Sequence, residues 1–331
     1  MTLTQEKYAY AVATVRIKEK TLLSTDFLEQ LLSTRTYKDV RRQLVEHGWL
    51  SVDSGDDDDR LQKRLIDSWS LLNEITPLPG LLDALILKND FHNLKAILKC
   101  RFTNTSPDRY LIRPCLYDAE EIMNLVSDKQ YDNLPHPNMC EAARQAYDVF
   151  VRTHDGQYVD IMVDCAALAA ICDSGSHSES QLVQYASELL CVSANVKTAV
   201  RACRTNKNEH FLDTALCECR TLDKEALISA ALAGEEAIQE YLGSTPYDGA
   251  AQTLGKGENG EFSLSAFEKW FDDGLMERVQ TAKSIFLGPE PLAAYYIACE
   301  TELRNIRILL SGKRHGMDDA VIRERMRKLY V

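Results

Sequence analysis

Whether the ten cysteines, seven histidines and 50 carboxylates of this 331-residue chain can do chemistry depends on how they are spaced. A phosphate cradle needs Gly-x-x-x-x-Gly-Lys-Ser/Thr, so that backbone N–H groups and a lysine converge on one anion. Neither Gly255-Lys256-Gly257 nor Ser311-Gly312-Lys313-Arg314 has that spacing. The histidines are isolated: no His-Glu-x-x-His pair sets two imidazoles on one helical face for zinc, and no Gly-x-Ser-x-Gly elbow presents a nucleophile. Cys217-Glu218-Cys219 is the one close cysteine pair; with no second pair at zinc-ligand spacing, it reads as part of a helical face. A calcium loop begun at Asp53 would need Glu at its twelfth position, where the chain has Arg64. The chain is therefore expected to have no catalytic group, metal or cofactor.

Three asparagines are more informative. Asn93-Leu94-Lys95, Asn195-Val196-Lys197 and Asn305-Ile306-Arg307 each read Asn, aliphatic, basic inside a helical pattern. The asparagines are 102 and 110 residues apart, a longer period than the ~20–50 residues of ordinary solenoids. Mid-helix Asn is disfavoured relative to Ala by about 0.5–0.7 kcal/mol, so each needs a tertiary contact to offset it. An amide donates and accepts at once, which suits either a neighbouring helix end or loop, or a direct contact with a partner. Lys95, Lys197 and Arg307, two positions on, lie on another face and are read as solvated.

The elements that must carry these residues are helical. The strongest pattern follows Gly288-Pro289-Glu290-Pro291, where Leu292, Tyr295, Tyr296, Cys299, Leu303, Ile306 and Leu310 recur at three- and four-residue steps. Gly312 is expected to end that helix. A second one, with Asp318 as N-cap and Ile322, Met326 and Leu329 on one side, completes a hairpin. Capping boxes are expected at Asp26/Glu29, Asp118/Glu121 and Ser265/Glu268. Breakers are expected at Pro77-Leu78-Pro79-Gly80, Pro135-His136-Pro137 and the loop Gly255 to Gly260. The acidic run Asp56 to Asp59 is read as a solvated connection. No period-two alternation is sustained, so the fold class is all-α. Three helical units are expected: 1–150, 151–255 and 256–331, the last packing with the N-terminal helices.

Charge excludes other classes. Fifty acidic against 38 basic residues give −12, which opposes a nucleic-acid role. The longest apolar run, Ile161 to Cys172, contains Asp164 and falls short of the ~20 residues that span a bilayer. The N-terminus lacks a secretory signal pattern, and scattered cysteines suit a reducing compartment, so a cytoplasmic monomer is expected. Residues 303–331 hold eight Lys/Arg and three Asp/Glu. That excess reads either as dipole compensation or as contact with an acidic partner or lipid headgroups through Arg323, Arg325 and Arg327.

The stretch Tyr295-Tyr-Ile-Ala-Cys-Glu-Thr-Glu-Leu-Arg-Asn-Ile-Arg-Ile-Leu-Leu-Ser-Gly-Lys-Arg-His-Gly316 resembles the C subunit of V/A-type rotary ATPases, called the d subunit in the eukaryotic vacuolar enzyme. Ile322-Arg-Glu-Arg325, Tyr330, Asp90 to Lys99 and the repeat spacing agree with it. The resemblance covers the whole chain, most specifically after Gly288. Val192 departs from it, standing where the other two units have an acid, so an ion pair there would be missing. The resemblance implies a funnel of three pseudo-threefold-related helical units without an active site. It also implies a place on the cytoplasmic mouth of the membrane proteolipid ring, receiving the foot of the central shaft so that torque passes between ATP turnover and ion transport. A helical-repeat adaptor unrelated to rotary ATPases is the alternative.

Overall fold

The computed structural model describes residues 7–52, 56–255 and 262–331. Among the described residues it is all-helical, with no strand, and it divides into two compact units: Leu82–Leu264, and residues 1–81 joined by Ser265–Val331.

The Leu82–Leu264 unit begins with α5 (Asp83–Thr103), which stops where Asn104 turns left-handed at φ 53°. The shorter α6 (Ala119–Ser127) follows; α7 (Pro137–Thr153) starts on Pro137, with the His136 ring accepting the Asn138 N–H. Next come α8 (Gly156–Ser176) and α9 (Gln181–Arg204), capped by Asp155 and Ser180. Leu87, Phe91, Leu94 and Leu98 of α5 enclose one core with Ile122 of α6, Met139 of α7 and Val163 of α8; Phe102 stacks on Phe150 at 4.0 Å. Gly175 lets α8 approach Ser187 of α9, since a Cβ there would collide with the serine side chain. The shorter α10 (Glu209–Ala215), α11 (Lys224–Ala233), α12 (Glu235–Gly243) and α13 (Asp248–Leu254) complete the unit.

The other unit combines α1 (Ala9–Glu19), α2 (Thr25–Ser33), α3 (Tyr37–Glu46) and α4 (Asp57–Ile75) with α14 (Leu264–Gln280), α15 (Glu290–Arg314) and α16 (Asp319–Arg325). Its centre is α15, along which α1, α3, α4 and α16 pack. From Pro291 to Cys299 every residue of α15 is buried, and Tyr296 meets Trp69 of α4 edge-on at 5.3 Å.

Local details depart from sequence expectation for physical reasons. Ser24, not Asp26, caps α2, because its hydroxyl accepts the Phe27 N–H at 3.3 Å. Asp118 caps α6 through the Glu120 N–H rather than as a box with Glu121, and Ser265 already lies inside α14. Gly312 lies inside α15, where it admits Ile322 of α16; a Cβ would sit 2.6 Å from its Cδ1. The acids from Asp56 to Asp59 form the start of α4, where N-terminal N–H groups favour negative charge, and Arg41 reaches Asp57 at 3.0 Å. The Asp53 expectation and most of the Gly255 to Gly260 loop lie outside the described residues. Finally, α16 stops at Arg325, so Met326 and Leu329 belong to an extended segment rather than a helix.

Candidate functional site

Each asparagine of the repeated motif sits mid-way along a long buried helix and grips one residue of an extended strap by both its backbone groups. The Asn93 amide donates to the Ile112 carbonyl at 3.0 Å and accepts the Ile112 N–H at 2.7 Å. Asn195 does the same to Cys217 at 2.7 and 3.0 Å, and Asn305 to Arg327, both at 2.8 Å. An extended residue points its N–H and C=O to the same side, as towards a neighbouring strand; the amide supplies a matching donor and acceptor. Two hydrogen bonds, each worth about 0.5–1.5 kcal/mol net, outweigh the helix-propensity cost of Asn. They also explain why residues 216–222 and 326–331 are not helical: their backbone groups are already engaged. Cys217 thus lies in a strap, not on a helical face.

A second tie is made by acids on the same three helices. Asp90 accepts the Leu116 and Tyr117 N–H groups, each at 2.9 Å, just before the Asp118 cap of α6. Glu188 accepts the Thr221 N–H at 2.7 Å, ahead of the Asp223 cap of α11. Glu302 accepts the Leu23 N–H at 2.8 Å, ahead of the Ser24 cap of α2. The acid missing at Val192 is replaced by Glu188, one turn further back on the same helix. In the third instance the segment held is not the strap's own continuation but the chain near residue 23, and the Thr25 N–H donates to the Val331 oxygen at 3.0 Å. Burial raises the Asp90 carboxyl to about 6 against the pull of these N–H groups, and raises Glu302 to about 8 although Arg64 is beside it.

The basic motif residues are not all solvated. Lys95 meets Asp164 of α8 at 2.6 Å, and Arg307 meets Asp58 of α4 at 2.6 Å. Lys197 lies on α9, two residues past its asparagine. In the basic C-terminal stretch, Arg304 and Arg327 share Asp272 of α14 at 2.6 and 2.7 Å. Arg323 reaches Glu29 of α2 at 2.6 Å with both side chains largely exposed, and Lys328 reaches Glu277. Arg325 is exposed and has no ion-pair partner among the described residues. The basic excess is mostly complemented within its own unit, by acids distant in sequence.

Sequence spacing also missed a thiol cluster in which Cys191 interacts with Cys217 and Cys219, the Asn195 amide donating to the Cys191 and Cys219 sulfurs at 3.9 and 3.7 Å. These interactions with Cys191 hold the Cys217 and Cys219 thiols below the ordinary range. Among the described residues no group of three His, Cys, Asp or Glu is arranged to hold a metal ion, and none of their helices is long and apolar enough to cross a membrane.

A family profile described as "ATP synthase (C/AC39) subunit" matches residues 11–325. The chain belongs to that family. C/AC39 proteins are non-catalytic subunits of V-type rotary ATPases, which accords with long helices joined by clamped straps. The chain is also similar to the C subunit of the V-type sodium ATPase of Enterococcus hirae, at 23% identity over 321 residues, covering 96% of this chain and 97% of that protein. Similarity over nearly the full length of both gives no support to an unrelated adaptor.

Proposed function

We propose that this C/AC39 chain is the rotor subunit that couples the central shaft of a V-type ATPase to its membrane proteolipid ring, on the cytoplasmic face, and that it is monomeric on its own. The observation that carries this reading is the end-to-end family match over residues 11–325. The repeated clamp supports it: a part that transmits torque needs connections that do not slip, and each strap is pinned by its asparagine and a nearby acid. The recurrence of long helix, short helical turn, strap and capped helix around Asn93, Asn195 and Asn305 favours three related helical units, the third completed by the N-terminal helices. Arg323 and Arg325, exposed on α16, are the residues best suited to meet a partner; Arg327 is engaged with Asp272.

Reconstitution without this component tests the reading directly. The complex is expected to keep ATP hydrolysis in its soluble head and to lose ATP-driven ion uptake into vesicles. Uptake that survives its complete removal refutes the coupling role.

A further inference from the structure

Beneath α1, beside α4 and α15, lies a cavity of about 380 Å³. Its walls carry Lys18, Arg60, Lys63 and Arg64 against Asp67, and Glu302 lies at its floor. In a chain with net charge −12, basic side chains readily find acidic neighbours, as most of those in residues 303–331 do. Here Lys18, Arg60 and Lys63 have no ion-pair partner among the described residues. Arg64 is held in place: its guanidinium lies 3.7 Å over the Trp49 ring, and its Nη2 donates to the Thr21 carbonyl at 2.9 Å.

Glu302 supplies an independent observation. Only 2% of it is exposed. Its Oε2 is occupied by the Leu23 N–H, while Oε1, 3.5 Å from Arg64 Nε, has no hydrogen-bond partner. A buried carboxyl oxygen is rarely left unsatisfied, because the desolvation is not recovered. With its carboxyl raised to about 8 by burial, Glu302 is mainly in its acid form at neutral pH. It then has an O–H to donate rather than a charge to repel an anion. Four cations against two carboxyls, one of them mainly protonated, exclude a metal ion as occupant. Arg64 covers the Trp49 face, so that face does not stack on a nucleobase. What remains is recognition of oxyanions by several charge-assisted donors.

We propose that this cavity binds a compact anion bearing two or more phosphate groups, held by Lys18, Arg60, Lys63 and Arg64 with Glu302 donating from the floor. A free oligophosphate and a phosphorylated lipid headgroup share this chemistry.

The test is calorimetric titration of the full chain with pyrophosphate, and sedimentation with phosphatidylcholine vesicles with and without phosphatidylinositol phosphate. Saturable one-site pyrophosphate binding that weakens with salt is expected. The paired Arg60→Ala and Lys63→Ala substitution should weaken it by at least about tenfold, since it removes two of the charge-assisted donors. Both residues are exposed, so thermal unfolding should match the parent and show that the variant folds. Glu302→Gln, which keeps a neutral donor, should retain binding. Vesicle binding that needs the phosphorylated lipid, outcompetes pyrophosphate and is lost in the paired variant assigns the site to a headgroup; pyrophosphate binding alone assigns it to a free anion. Absence of saturable pyrophosphate binding, or binding unchanged in the paired variant, overturns the proposal. So does capture of an acidic peptide in place of pyrophosphate.

Discussion

Replacing Asn195 by Ala isolates what one amide clamp contributes. The substitution removes both hydrogen bonds to Cys217; with Asn195 2% and Cys217 7% exposed, water cannot easily replace them. Two lost bonds, with an N–H and a C=O orphaned in a buried site, cost about 3–5 kcal/mol; the better helix propensity of Ala returns about 0.7, leaving a net loss of about 2–4. Asn93→Ala and Asn305→Ala remove the same bonds, but the gripped Ile112 and Arg327 are only half-buried, so solvent can satisfy part of the loss and about 1–2 kcal/mol is expected. Urea unfolding followed by far-ultraviolet circular dichroism measures all three. Because the chain forms two compact units, Asn195→Ala and Asn93→Ala should lower the transition of the Leu82–Leu264 unit, and Asn305→Ala that of the other. A loss below about 0.5 kcal/mol for Asn195→Ala would refute the clamp as a determinant of stability. Equal losses at all three positions would refute the role assigned to burial of the gripped residue.

Glu302 makes stability depend on pH. Its carboxyl is raised from 4.5 to about 8 in the folded state, so its favourable contribution is complete below pH 4.5 and is lost as pH rises through about 8. The facing groups are Arg64 and Asp67 of α4, Lys18 of α1, and Tyr295 and Cys299 of α15. Glu302→Gln should flatten that loss, worth about 3–5 kcal/mol between the two limits, in unfolding measured across pH. Gly312→Ala, which puts a Cβ 2.6 Å from Ile322, should destabilise by about 1–2 kcal/mol after the helix-propensity gain, with Ile322→Val in the same chain recovering part. Arg327→Met should lower stability by about 1–3 kcal/mol by breaking its bond to partly buried Asp272. Arg323→Glu with Arg325→Glu should change stability by under about 1 kcal/mol while weakening recovery of shaft subunits in a pull-down.

The all-α class and the importance of Asn93, Asn195 and Asn305 were legible because an uncommon helix residue recurs with the same neighbours. The geometry of the clamp was not, since it depends on which distant backbone the amide meets. A search at fixed offset finds an acid three residues before Asn93 and Asn305 but not before Asn195; Glu188 fills that role from seven residues back, a helical equivalence that strict alignment hides. The C-terminal basic excess looked like an outward-facing surface because its acids lie far along the chain: Asp58 is 249 residues from Arg307 and Glu29 is 294 from Arg323. The end of α16 was misplaced for the same reason, because Met326 and Leu329 keep helical periodicity in sequence while Asn305 and the Gln280 amide, bonded to the Leu329 carbonyl at 2.6 Å, hold the backbone extended. The cavity at Glu302 was invisible, since its cations are spread over α1 and α4 and its floor comes from α15.

The segment ending at Val331 closes on Thr25, so one compact unit is assembled from both ends of the chain with Leu82–Leu264 inserted between them. During translation, α1 to α4 emerge long before the helix they pack around. Synthesis of the roughly 215 residues between α4 and α15 takes about 10–40 s at about 5–20 residues per second. Leu23, Leu44, Trp49 and Trp69, all buried in the finished protein, have no completed core to enter during that interval. The inserted unit can fold as it leaves the ribosome; the N-terminal helices must be kept from aggregation until α15 arrives. A newly made chain should therefore depend on chaperones in proportion to that delay, and truncation before Gly288 should leave the first 81 residues exposed to proteases while the inserted unit resists them.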